Sequence, residues 1–75
     1  PMEDETAVAF DTLAQRELFE QVMALPPRYR LSVYLYYYES FSVREIAQVM
    51  GANPSTVQTW LMRARGLLRE ALQEA

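Results

Sequence analysis

Between residues 42 and 54 the chain carries a helix start, a stop and a second start, and this punctuation leaves room only for a short helix, a tight turn and another helix. Ser42 and Glu45 have the Ser-x-x-Glu spacing of a capping box, in which hydroxyl and carboxylate each satisfy an orphan backbone N–H. Ile46, Ala47 and Met50 continue at helical spacing to Gly51, a residue that tolerates the positive φ of a helix C-terminus. Asn53-Pro54 then supplies an N-cap and a first helical residue. Upstream, Pro26-Pro27 ends one helix and opens the next, because a proline at the first helical position lacks an N–H that would have had no partner there.

Apolar periodicity fills in the rest. From Phe10, the residues Leu13, Leu18, Val22 and Leu25 predict an amphipathic helix of about three turns, with Asp11 or Thr12 as its cap. A second helix, about 27–39, carries Leu31, Tyr34, Leu35 and Tyr38 on one side and Val33 and Tyr37 on an adjacent strip. The last helix places Val57, Leu61, Ala64, Leu68 and Leu72 on one inward stripe, with Gly66 as its weak point. No stretch alternates as a strand would. The expected fold is all-α, a compact four-helix domain containing a helix-turn-helix, over residues 7–75. Residues 1–6, acidic and without periodicity, read as a frayed end or a linker remnant.

At 75 residues the chain is one domain, near the lower limit for a self-sufficient core. It has no Cys and no His, which removes disulfides, zinc sites, thiol nucleophiles and most general-base arrangements. Glu39 and Glu45 resemble a carboxylate pair, but Glu45 already has a capping role, so no enzymatic activity, cofactor, metal or small-molecule substrate is expected. No apolar run reaches the roughly 18–20 residues that span a bilayer, and no signal peptide is evident, so a cytoplasmic location without membrane contact is expected. The start at Pro1-Met2 suggests a piece of a longer protein. The net charge of −3 conceals an asymmetry. Residues 1–25 hold six acids and one base, or −5, whereas residues 26–75 hold six bases and four acids, or +2. Any contact with nucleic acid is therefore expected downstream of Leu25.

The segment SVREIAQVMGANPSTVQTWLMRAR, residues 42–65, fits a helix-turn-helix in which small Ala47 lets the second helix cross closely. Val57 and Leu61 pin that helix against Ile46. Ser55, Thr56, Gln58, Thr59, Met62 and Arg63 are left on its outer face. Short hydroxyls and free N–H groups at a helix N-terminus suit phosphate oxygens, Gln58 matches adenine, and Arg63 matches guanine or phosphate. On an isolated helix Arg63 and Arg65 would read as solvated charges or partners of Glu70 and Glu74; within the motif Arg63 reads as a DNA contact. Trp60 borders the Val57–Leu61 stripe and is open to three roles: core packing, a base or sugar contact, or a protein interface.

Residues 25–69 resemble region four of bacterial sigma factors, particularly the extracytoplasmic-function type. The resemblance rests on Leu25-Pro26, Glu39, Ser42, Glu45-Ile46-Ala47, Gly51, Thr56-Val57 and Arg63-Ala64-Arg65 in one ungapped run. It implies recognition of the minus-35 promoter element, docking on the flap of the RNA polymerase beta subunit, and a possible anti-sigma factor as partner. It places base-reading and nearby backbone contacts on Gln58, Thr59, Trp60, Met62 and Arg63, and phosphate contacts on Arg44 and Thr56. Lys or Arg is common in the family where Gln58 stands, and Arg often occupies the place of Trp60. Each missing phosphate contact lowers the salt slope of binding by about 0.9. Two other functions share the fold: a sigma-like transcriptional regulator, and a helix-turn-helix retained for protein–protein interaction. Tyr36 and its neighbours cannot all point inward from one helix, so an exposed aromatic is expected there.

Overall fold

The computed structural model describes the backbone of residues 5–74 and the side chains of residues 14–73. Among these there are four α-helices and no strand: α1 (Glu5–Met23), α2 (Pro27–Val33), α3 (Val43–Met50) and α4 (Pro54–Glu74). A wider π-helical turn, Tyr34–Tyr38, continues α2. The all-α expectation therefore holds, while several details differ.

α1 is longer than the three turns expected. It runs unbroken through Asp11 and Thr12, so neither residue caps it. Most of the expected 1–6 segment, residues 1–4, lies outside the described residues; Glu5 and Thr6 are helical. The side chains of Phe10 and Leu13 also lie outside the described residues. The chain leaves α1 at Met23, whose carbonyl accepts from the Arg30 guanidinium at 3.3 Å, satisfying a group that has no partner within the helix.

The core contains Val22 and Leu25 from the α1 side, Val33 from α2, Ile46 and Ala47 from α3, and Val57, Leu61 and Ala64 from α4. On α2 the inward face is Ser32 and Val33. Leu31, which headed the expected stripe, is 41 % exposed. The reason is which neighbour α2 meets: it packs chiefly on α4, and the face turned that way is that of Ser32 and Val33. The fully buried Ser32 hydroxyl donates to the Arg28 carbonyl at 2.8 Å and lies 3.5 Å from Met50 Sδ. The α4 stripe is buried through Ala64 and becomes shallower beyond it, with Leu72 38 % exposed.

The π turn resolves the crowding of tyrosines. The Glu39 N–H donates to the Tyr34 carbonyl at 3.2 Å, five residues back, and Phe41 N–H donates to Leu35 at 2.9 Å. The widened turn spreads Tyr34, Tyr36, Tyr37 and Tyr38 around the axis, and none of them is fully buried. Tyr38 stacks on Tyr34 at 5.5 Å and meets the Phe19 ring edge-on at 5.5 Å. Ser40 then reverses the chain at φ 61°, a left-handed conformation that a side chain normally disfavours.

Candidate nucleic-acid interface

The turn between α3 and α4 forms as the sequence predicts. Ser42 Oγ accepts from the Glu45 N–H at 3.0 Å while the Ser42 N–H donates to Glu45 Oε1 at 2.8 Å, completing the capping box. Gly51 sits at φ 65°, and its open surroundings leave the backbone conformation as the constraint there. Ala47, 4 % exposed, lies in the core cluster with Val57 and Leu61, both all but fully buried. A methyl at this position lets α4 approach α3 closely, and the crossing orients the opposite side of α4 toward solvent.

That outward side holds most of the residues expected to meet a ligand. Ser55, Gln58, Met62 and Arg63 are exposed, and Arg44 is exposed on α3. Met62, at 62 % exposure, is the most exposed large apolar side chain among the described residues. Thr56 and Thr59 are half-buried, and the Thr59 hydroxyl donates to the Ser55 carbonyl at 3.1 Å. Trp60 is half-buried and packs against the core cluster, so of its three sequence readings the packing one describes much of the ring. The face is thus a polar and thioether strip with Arg63 on one edge, and Arg44 is exposed separately on α3.

Among the described residues, the leading helix is not placed over this strip. α1 lies against the C-terminal half of α4: Gln15, Leu18 and Val22 share one groove with Leu68 and Arg69, and Gln21 and Leu25 share another with Leu67, Leu68 and Ala71. None of Ser55, Gln58, Met62 and Arg63 lines either groove.

Residues 15–68 match the family described as sigma-70, region 4. The chain belongs to the sigma-70 region 4 family. Region 4 is the helix-turn-helix domain through which sigma factors bind the minus-35 element of promoters. Over 59 residues the chain is 37 % identical to the RNA polymerase sigma factor SigV of Bacillus subtilis (strain 168), covering 79 % of this chain and 36 % of that protein. It therefore spans about a third of the length of that relative.

Two features of this region 4 domain escaped the sequence reading. Arg65 is exposed, as the solvated-charge reading expected, and in addition donates through Nε to the Tyr37 hydroxyl at 2.7 Å. Its guanidinium also lies over the Tyr36 and Tyr37 rings, at 6.0 and 5.7 Å from their centroids. Residues 63 and 65 point about 200° apart on a helix, so the two exposed arginines take opposite edges of the outer face, and only Arg65 stands on the edge beside the tyrosines. The second is the pairing of the Tyr34 hydroxyl with Glu39 Oε2 at 3.0 Å. That hydrogen bond, and the adjacent negative charge, push the Tyr34 phenol above its ordinary value. No group of three or more His, Cys, Asp or Glu among the described residues is placed to hold a metal, and no described helix is long and apolar enough to cross a membrane.

Proposed function

We propose that this chain is the minus-35-reading domain of an extracytoplasmic-function type sigma factor, whose parent protein directs RNA polymerase to initiate transcription in the cytoplasm. The observation that carries the reading is the unobstructed strip Ser55–Gln58–Met62–Arg63 on a helix held by Ala47, Val57 and Leu61. On this reading Gln58 pairs with adenine, Met62 meets a thymine methyl, and Arg63 reaches guanine or phosphate. Ser55, Thr56 and Arg44 face phosphates where the α4 N-terminus approaches the backbone, and Thr59 and the exposed part of Trp60 flank them.

The polymerase beta-subunit flap, or an anti-sigma factor, would bind elsewhere. An apolar groove of about 630 Å³ between α1, the π turn and α4, with Leu18, Val22, Tyr37 and Leu68 in its walls, supports this because a partner there leaves the DNA-facing strip free. The groove equally suits a domain that keeps the fold for protein interaction alone, and the DNA experiment separates the two. A labelled duplex selected from a randomised pool is titrated at several salt concentrations with the wild-type chain and Arg63→Ala. Under the DNA reading, binding weakens with salt and the substitution reduces the slope by about 0.9. Affinity unaffected by either change leaves only the interaction reading.

A further inference from the structure

The Arg63-Ala64-Arg65 run invites assignment of both arginines to DNA, and the geometry separates them. Ala64 is fully buried against the core. With that residue pointing inward, its two neighbours leave the helix on different sides. Both are exposed, on opposite edges of the outer face: Arg63 takes the far edge, whereas Arg65, seven residues after Gln58 and three after Met62, stands on their edge and turns into the groove between α4 and the π turn. There its Nε–H donates to the Tyr37 hydroxyl and its cation lies beside two rings that are themselves in edge contact at 4.9 Å. The hydrogen bond calls for a directed N–H and the rings for a broad, planar cation. Lysine, a point charge without that plane, reproduces neither constraint.

We propose that Arg65 is a positioning residue: it anchors α4 to the Tyr36–Tyr37 segment and so sets the angle at which the Gln58–Met62 strip enters the groove, without contacting phosphate itself. The inference rests on the DNA-binding reading above. It assigns a role to the tyrosine-rich turn as well, because that turn is the far end of the anchor. The widened π geometry has a consequence here, since it places Tyr36 and Tyr37, adjacent in sequence, on the same cation.

The two kinds of arginine differ in a measurable way. Losing a phosphate contact weakens all duplexes alike and lowers the salt slope, whereas misaligning a reading helix weakens base recognition and spares the sequence-independent part. The test compares the full 75-residue chain with Arg65→Lys, Arg65→Ala, Tyr37→Phe, the double variant Arg65→Lys/Tyr37→Phe and Arg63→Ala, on a pool-selected duplex and on a scrambled one, at a temperature where circular dichroism shows each variant folded. Arg65→Lys and Tyr37→Phe are expected to reduce discrimination between the duplexes about fivefold, a size set by the loss of one side-chain hydrogen bond, with the salt slope and scrambled-duplex affinity unchanged. The double variant is expected to lose no more than the greater single loss. In the free protein, Arg65→Lys is expected to shift the backbone amide resonance of Ser55, ten residues from the substitution at the start of α4.

A fall of about 0.9 in salt slope for Arg65→Ala, matching Arg63→Ala, would make Arg65 a phosphate contact and overturn the proposal. Unchanged discrimination in Arg65→Lys and in Tyr37→Phe overturns it as well. Failure of the wild-type chain to bind any duplex removes the underlying DNA reading, and is recognised by its affecting every variant equally.

Discussion

The crossing of α3 and α4 is the joint on which recognition depends, and Ala47 is the residue through which to perturb it. Ala47→Leu adds three carbons at a site 4 % exposed, beside Ile46 at 0 % and Val57 at 0 %. The cluster around it joins α3 to α4, so the added volume is expected to displace α4. Overpacking of this kind costs about 1–3 kcal/mol. A domain of this size is stable by roughly 4–11 kcal/mol, so the variant remains folded at room temperature. Its melting temperature is expected to fall by roughly 5–20 °C. Ile46→Val is the control: it removes one methylene from the same cluster at about 0.5–1.5 kcal/mol but leaves room for α4 to keep its place. Thermal melts followed by far-UV circular dichroism, paired with duplex binding well below both melting points, distinguish the two effects. Ala47→Leu should lose specific binding by at least about tenfold while Ile46→Val retains it, tenfold corresponding to 1.4 kcal/mol. Specific binding by Ala47→Leu at the wild-type level would refute the argument that close helix crossing aims the strip.

Three further outcomes follow from local geometry. Ser42→Ala removes the acceptor for the Glu45 N–H and is expected to destabilise the domain by about 1 kcal/mol in a urea melt. Ser40→Gly relieves the left-handed backbone at φ 61° and should stabilise by about 0.5–1 kcal/mol in the same assay; no gain would show that Ser40 makes a compensating contact. Tyr34, raised above the ordinary phenol value by its hydrogen bond to Glu39, should titrate later than a free tyrosine when followed by ultraviolet absorbance, and Glu39→Ala should bring it back down. Because the folded value is the higher one, the stabilisation from this pair is complete below the unfolded phenol's pKa of about 10 and disappears as pH rises through the folded value.

Much of the architecture was legible because helix boundaries are written in local chemistry. A capping box needs a hydroxyl and a carboxylate three residues apart, a left-handed C-terminus favours glycine, and Asn-Pro opens a helix; each acts within a few residues of chain, so Ser42, Glu45, Gly51 and Pro54 located α3 and α4 correctly. The outward set of Ser55, Gln58, Met62 and Arg63 was equally accessible, since it is the complement of the Val57–Leu61 stripe on one regular helix. The extent of α1 was misread for a related reason: Asp11 and Thr12 are competent caps, but a competent cap does not by itself interrupt a helix that can continue through it.

What the amino-acid sequence determined by itself was therefore the helices around the turn, their caps, the outer face of α4 and the charge difference between the two ends. The tertiary structure decided which side of α2 is inward, how far Trp60 is covered, that α1 leaves the recognition strip open, and that Arg65 belongs to Tyr36 and Tyr37. These outcomes depend on groups such as Arg65 and Tyr37, 28 positions apart, and on which neighbour occupies a given volume first. Periodicity says that a face is apolar or polar; only the packed assembly says what stands opposite it.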